Sequence, residues 1–333
     1  MSVNLGIVMD PIANIKPSKD SSFAMLLAAQ CRGWTLYYMT ATDLYALDGH
    51  CRASMRALRV SDNSEQWFAL GEPEDIPLDT LDAVLMRVDP PFNMDYIYAS
   101  YLLELAEARG CLVVNRPQSL RDWNEKLATA WFPELCPPTL VSADQARIKN
   151  FVACQADTII KPLDGMGGAS IFRLRPCDAN LNVIIETLTE HGRRQCMVQR
   201  YIAEISAGDK RVLLVDGEPV PYALARIPQG GETRGNLATG GRGEAVAIGE
   251  RERRICAAVA PELRRRGLLF VGLDVIGDYL TEINITSPTC IRELDRACGL
   301  DIAGQLMAAI ERHLDPPQGQ GCDVSGGKLS DEQ

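Results

Sequence analysis

The sequence is poor in histidine, has no paired cysteines and has no long apolar run. Its three histidines, His50, His191 and His313, lie far apart. Its eleven cysteines are an odd number, scattered singly with no Cys-x-x-Cys. This spacing argues against a zinc site or a disulfide framework. Most of the cysteines are expected to be reduced and buried as small hydrophobes. No apolar run reaches the roughly 18 residues of a membrane span. Residues 1–10 lack a basic region, so no signal peptide is expected, and the reading is cytoplasmic. Basic residues are outnumbered, 34 against 44 acidic, for a net charge of -10. That balance argues against non-specific binding to nucleic acid or to an anionic membrane. It leaves room for a nucleotide site, where only the cleft must be basic.

The 333 residues are 46% hydrophobic and 23% charged. This is enough for a sizeable core in two or three domains. Residues 3–9 read as a buried strand, followed by an Asp20-Ser21-Ser22 cap, a helix closed by Gly33, and a second strand at 34–39. Further strands are expected at 81–87 and 111–114, around a helix at 94–109. Residues 51–70 are ambiguous, with strand-like pieces at 58–60 and 67–70. The pattern is an open α/β domain over residues 1–120, whose strand ends carry Asp10, Arg87 and Asn115. Ligands of such sheets sit beyond the carboxyl ends of the strands. Residues 121–202 read as a small α+β unit, with helices at 119–132, 143–153 and 181–191. From Lys210 the pattern is antiparallel, with hairpins around Asp216-Gly217 and Gly277-Asp278. The segment 227–243 holds six glycines and is read as a mobile lid. Helices are expected at 250–266, 290–297 and 302–314, and 316–333 as a disordered tail.

The stretch Thr158 to Ser170 is the centre of the chain. A β-branched strand delivers Lys161, Pro162 stops it, and Gly165, Gly167 and Gly168 follow. Glycines let backbone N–H groups converge on one anion, and a lysine adds a point charge. An ordinary hairpin with a strand-end lysine fits equally well. The lysine precedes the glycines, so this is not a Walker A loop. Farther on, Glu282 and Asn284 share a strand face, and a turn near Gly277 brings Asp274 opposite them. Three hard oxygen donors without His or Cys suit Mg²⁺ bridging phosphates. A polar, solvated hairpin face is the alternative.

The order Lys126, Lys161 with its glycine loop, Asp209-Lys-Arg211, Arg226, glycine-rich segment, Asp274 and Glu282-x-Asn284 resembles the ATP-grasp superfamily. Within it, the match is to the bacterial glutathione synthetases. The stretches that carry this are Lys161-Pro-Leu-Asp-Gly-Met-Gly-Gly-Ala-Ser-Ile-Phe-Arg173, Val215-Asp-Gly-Glu-Pro-Val-Pro-Tyr222, Ala225-Arg-Ile-Pro-Gln-Gly-Gly-Glu-Thr-Arg-Gly-Asn-Leu237 and Leu280-Thr-Glu-Ile-Asn-Ile-Thr-Ser-Pro-Thr-Cys-Ile-Arg-Glu293. The similarity runs from Met9 to about Leu314. One departure is Val88, where the family leads one to expect a polar residue, often lysine.

The resemblance implies an amino-terminal α/β substrate domain (1–120). An ATP-grasp fold of two subdomains (121–202 and 203–315) then clasps ATP. It implies ATP-dependent ligation of γ-glutamylcysteine to glycine through an acyl phosphate, by a homotetramer. Lys126, Lys161 and Gly165–Gly168 would hold phosphates. Gln199, Tyr201 and Ile202 would meet adenine at the hinge, with Asp209 near the nucleotide. Arg211 and Arg226 would stabilise the transferring phosphoryl group. Asp274, Glu282 and Asn284 would hold Mg²⁺, with Mn²⁺ as a substitute. Asp10, Arg87, Ser287 and Arg292 would contact substrate, and Arg234 and Arg242 would act from the lid. Two rivals share such a site: another ATP-grasp ligase, which adds glutamate to a protein or peptide, and a non-catalytic ATP-binding regulator of the synapsin kind.

Overall fold

Alternating apolar runs and capped helices build an open sheet at the amino end. The computed structural model describes residues 2–229, 235 and 240–315. The elements of the first sheet are β1 (Asn4–Val8), α1 (Ser21–Cys31), β2 (Thr35–Met39), β3 (Leu44–Leu47), β4 (His50–Val60), β5 (Phe68–Pro77), β6 (Ala83–Met86), α2 (Met94–Glu107) and β7 (Leu112–Val114). Their order is β3-β4-β2-β1-β6-β7, with β5 on β4. The pairs β1–β2, β1–β6 and β6–β7 are parallel. Asp20 caps α1 by accepting from Phe23 N at 2.7 Å. The ambiguous stretch 51–70 is resolved as the long antiparallel pair β4–β5. Sequence alone left it open because its apolar alternation is broken by Arg and Asp.

The helix expected over 119–132 ends early. It forms α3 (Pro117–Asp122), followed by a 3-10 turn at Leu127–Trp131. The cause is Asn124, whose Oδ1 accepts from Lys126 N and Leu127 N. Such a side chain offers the backbone an alternative to the helix. This turn places Lys126. The second unit holds β8 (Thr139–Ser142), α4 (Gln145–Gln155), β9 (Thr158–Pro162), β10 (Phe172–Leu174), α5 (Leu181–Leu188) and β11 (Cys196–Arg200). Its sheet has the order β10-β9-β11-β8 and its own small core, centred on Ile148, Ile160, Ile185 and Val198.

The third sheet has the order β14-β13-β12-β15-β16. Its elements are β12 (Asp209–Val215), β13 (Glu218–Ile227), β14 (Arg242–Ala247), α6 (Glu250–Arg265), β15 (Phe270–Ile276) and β16 (Tyr279–Asn284), followed by α7 (Ile291–Cys298) and α8 (Ile302–Leu314). Strand β14 was not expected. Arg242 pairs in register with Ile227 and Gly243 with Arg226, so the end of the glycine-rich segment zips onto the sheet. Arg234, most of the lid reading and the 316–333 tail lie outside the described residues.

The first and third sheets share their cores. Leu5, Ile7 and Phe23 cluster with Leu213, Phe270 and Met307. Asn115, read as a ligand-facing strand end, instead joins the two bodies. It donates to Phe270 O (2.8 Å) and Ile285 O (2.7 Å) and accepts from Phe270 N (3.0 Å). Val88 packs against the apolar core. The ten described cysteines are all free, but only five are buried; Cys31, Cys154 and Cys177 are exposed.

Candidate active site

Between the small sheet and the third sheet lies a cavity of about 330 Å³. Strand β9 brings Lys161 to its wall. β10 runs back antiparallel, Phe172 opposite Ile160, so the segment is a hairpin and its glycine loop also lines the cavity. Gly167 and Gly168 take φ of +61° and +81°, values that favour glycine. A Cβ on Gly165 would lie 2.9 Å from Pro162 Cγ. Lys161 Nζ donates to Thr281 O at 3.2 Å. Burial pulls its pKa down, Glu282 opposes that, and Lys126 adds to it. Lys126 Nζ lies 3.0 Å from Glu282 Oε1 and also donates to Gly165 O. Burial works against its charge, but Glu282 holds its pKa above the usual lysine value.

The end of β11 supplies another part of the wall. Gln199, Tyr201 and Ile202 line the cavity. Arg173 stacks over the Tyr201 ring at 3.5 Å. Asp157 grips Arg173 at 2.8 Å (Nε) and 2.5 Å, and its carbonyl accepts from Tyr201 N at 2.9 Å. Stacking and bidentate pairing together fix the tyrosine ring.

The floor is a row of charges set by strand register. Arg226 lies opposite Asp209, Arg211 opposite Asp274, and Asp274 opposite Glu282. Asp209 and Arg211 are two apart and share a face. The row therefore crosses β13, β12, β15 and β16. Asp274 accepts from Arg211 Nε at 2.5 Å and lies 2.9 Å from an Arg226 nitrogen. Arg226 also pairs with Asp209 at 2.5 Å. Burial disfavours the Asp274 charge, yet the two guanidinium groups hold its carboxyl well below the usual range. Burial and the Asp274 charge push Asp209 the other way, to about 6, against the pull of Arg226. Asp209 Oδ1 is buried without a hydrogen-bond partner among the described residues. Gly272 makes room for the row: a Cβ there would sit 2.7 Å from Arg211 Cδ.

Among the described residues no cluster of three or more His, Cys, Asp or Glu forms a metal cage. The donor set for a cation is mixed. Asn284 donates its amide nitrogen to Gly272 O at 3.1 Å, which leaves its carbonyl oxygen for a cation. Glu282 is only partly buried and lines the cavity beside it. Oxygen-only donors fit a hard divalent cation. Asp274 is buried and held by two arginines, whereas Glu282 is partly exposed and pairs with Lys126 through Oε1, so Glu282 and Asn284 are the more accessible pair.

The residues expected on the substrate side are spread out. Ser287 lines the cavity and donates to Asp89 Oδ1 at 2.5 Å. Asp10 is exposed and accepts from Asp89 N at 2.9 Å. Arg87 is buried behind the wall, donating to Ser22 Oγ (2.9 Å) and Pro288 O (3.0 Å). It has no ion-pair partner among the described residues, and burial lowers its pKa. Arg292 does not reach the cavity. Ile291 buries the first position of α7, and Arg292 lies over the Phe23 ring of α1 at 5.8 Å and pairs with Asp62, between β4 and β5, at 2.7 Å. Arg242 is exposed and pairs with Glu244. Sequence reasoning missed Glu125, Asp89 and Cys290, all of which line the cavity. The signal for Glu125 was an acidic residue beside Lys126; Cys290 carried none.

The prokaryotic glutathione synthetase N-terminal domain matches residues 3–121, and the ATP-grasp domain of the same family matches residues 125–299. The chain is 63% identical to a glutathione synthetase of Pseudomonas putida over 314 residues, 94% of this chain and 99% of that one. It is 60% identical to the glutathione synthetase of Escherichia coli over 312 residues, with the same coverage. Among solved structures, D-cycloserine synthetase DcsG matches with TM-score 0.65 at 15% identity, covering 93% of this chain and all of that one. The ATP-grasp ligase PsnB, complexed with a minimal precursor, Mg and ADP, matches with TM-score 0.59 at 18% identity over 93% and 98%. These structural likenesses show the fold. The chain belongs to the prokaryotic glutathione synthetases, ATP-dependent ligases of the ATP-grasp fold that use a divalent metal and serve glutathione synthesis.

Proposed function

We propose that the chain joins γ-glutamylcysteine to glycine. In this reading the cysteinyl carboxylate oxygen attacks the γ-phosphorus of ATP and ADP leaves. The glycine amine, having lost a proton, attacks the acyl carbon, and phosphate leaves. A carboxylate is a poor electrophile, and phosphorylation supplies the leaving group. No enzyme nucleophile is needed; catalysis rests on positioning and charge neutralisation.

The observation that carries the reading is that four cationic side chains line one cavity. Lys126 and Lys161 stand with the glycine loop on one side, and Arg211 and Arg226 stand on the sheet. We assign the lysines and Gly165–Gly168 to the phosphates, Gln199, Tyr201 and Ile202 to adenine, and Asp209 to the nucleotide. The arginines stabilise the transferring phosphoryl group. Glu282 and Asn284, with Asp274 behind them, would hold Mg²⁺ or Mn²⁺; the metal neutralises phosphate oxygens that repel one another. Arg87 is a buried cation whose hydrogen bonds among the described residues go to neutral groups, with the Asp20 and Asp89 charges nearby, and we assign it to a substrate carboxylate. Asp10 and Ser287, both joined to Asp89, complete that side.

Free thiols support a reducing, cytoplasmic setting. No helix among the described residues is long and apolar enough to cross a membrane. A homotetramer belongs to this reading. Met94, Tyr98 and Tyr101, exposed on one face of α2, are apolar surface of the kind that subunits cover, and light scattering would measure the mass. Mass spectrometry of the products from γ-glutamylcysteine, glycine and ATP tests the function. Glutathione and ADP in equal amounts are expected; ADP without glutathione would overturn the reading.

A further inference from the structure

We propose that Glu125 is a positioning residue that sets the register between Lys126 and the strand end carrying Glu282 and Asn284. The inference rests on the reading of those two residues as the cation-binding pair. β16 is the outer strand of its sheet, so its far edge has no strand neighbour among the described residues. Glu125 supplies the missing partner. Its carbonyl accepts from Ile283 N at 2.8 Å. Its Oε1 accepts from Ile285 N at 2.8 Å, Thr286 N at 2.9 Å and Thr286 Oγ1 at 2.8 Å. One residue thus gathers four donors from a segment some 160 positions away.

The consequence lies one residue on. Lys126 follows Glu125 directly, and its ammonium lies 3.0 Å from Glu282 Oε1. Asn284 lies in the same gripped segment, between Ile283 and Ile285. A fixed Glu125 therefore fixes where Lys126, Glu282 and Asn284 meet. Glu125 also lines both the main cavity and the small one behind the glycine loop, a joint between the two walls. Burial and the nearby Glu282 charge raise its pKa, while the hydrogen bonds from Thr286 and Ile285 pull it down.

The test is Mn²⁺ binding to the ADP-loaded enzyme, followed by loss of the free-Mn²⁺ signal in electron paramagnetic resonance. Unfolding curves report which variants are folded. Groups that orient metal ligands typically cost 10–100-fold when removed, so Glu125→Ala is expected to weaken binding about tenfold or more. Glu125→Gln retains an acceptor oxygen and is expected to stay within about threefold of the parent. If the alanine variant does not fold, Glu125→Asp replaces it. It keeps the charge but falls one methylene short of Thr286, and the same loss is expected. A folded Ala or Asp variant that binds Mn²⁺ like the parent, while Glu282→Gln binds it poorly, overturns the role of Glu125 alone. Gln as weak as Ala also overturns it, because charge rather than the hydrogen-bond grip would then matter. Full binding by Glu282→Gln removes the underlying assignment instead.

Discussion

Arg211 and Asp274 face each other across β12 and β15 as a register pair, with Nε and Oδ1 2.5 Å apart and both side chains buried. The pair lies flat because residue 272 has no side chain in its way. Arg226 closes on the other oxygen of Asp274 at 2.9 Å. Asp274 therefore fixes both guanidinium groups on the sheet, as the proposed stabilisation of a transferring phosphoryl group requires.

Gly272→Ala is expected to push Arg211 out of line. A displacement of about 1 Å in a positioned group can cost about 10² in rate. The kcat should fall by at least tenfold while KM for ATP changes less. Parent-like kcat would separate Arg211 from the chemistry.

Lys161→Met keeps the stem and removes the proposed phosphate donor. Loss of one transition-state donor costs about 3 kcal/mol, or roughly 10² in kcat/KM. Steady-state kinetics measure it. An unchanged value would mean that the glycine hairpin is structural only.

Chelating the divalent metal is expected to abolish turnover, and Glu282→Gln to raise the Mg²⁺ concentration needed for half activity. Circular dichroism should show the variant folded. Full activity in excess chelator would contradict the cation site.

Arg173→Lys keeps the charge but loses the planar fork and the stack on Tyr201. KM for ATP is expected to rise about fivefold, in line with roughly 1 kcal/mol for such contacts. KM for the dipeptide should stay put. Equal changes in both would point to general loosening instead of a hinge effect.

Asp209 gives a pH dependence with a defined sign. Its folded pKa, about 6, lies above its ordinary value of 3.8. Between those values the folded state binds more protons, so this group makes stability fall as pH rises. Asp209→Asn removes that dependence. The melting temperature of the variant, relative to the parent, should climb between pH 4 and pH 6 and then level off. Parallel curves across that range would refute the shift.

The sequence by itself determined the ATP-grasp assignment, the strand–lysine–glycine order at Lys161 and the two hairpins. The first rests on the resemblance its motifs carry; the other two depend on local chemistry: a strand run, a glycine turn, an Asp-Gly or Gly-Asp reversal. It also placed Glu282 and Asn284 on one face, because strand periodicity is local. Tertiary structure decided what those residues touch. That Asp274 meets two arginines depends on the register of three strands, β13, β12 and β15. That Arg292 turns away from the cavity depends on which face of α7 buries Ile291 against α1. That Asn115 joins two bodies depends on where Phe270 and Ile285 pass it. Asn124 ended a helix that periodicity alone would have continued, because its side chain captures the next turn's backbone. Glu125 stayed hidden for the same reason as the charge row: its four donors come from the far side of the chain, and no local pattern records them.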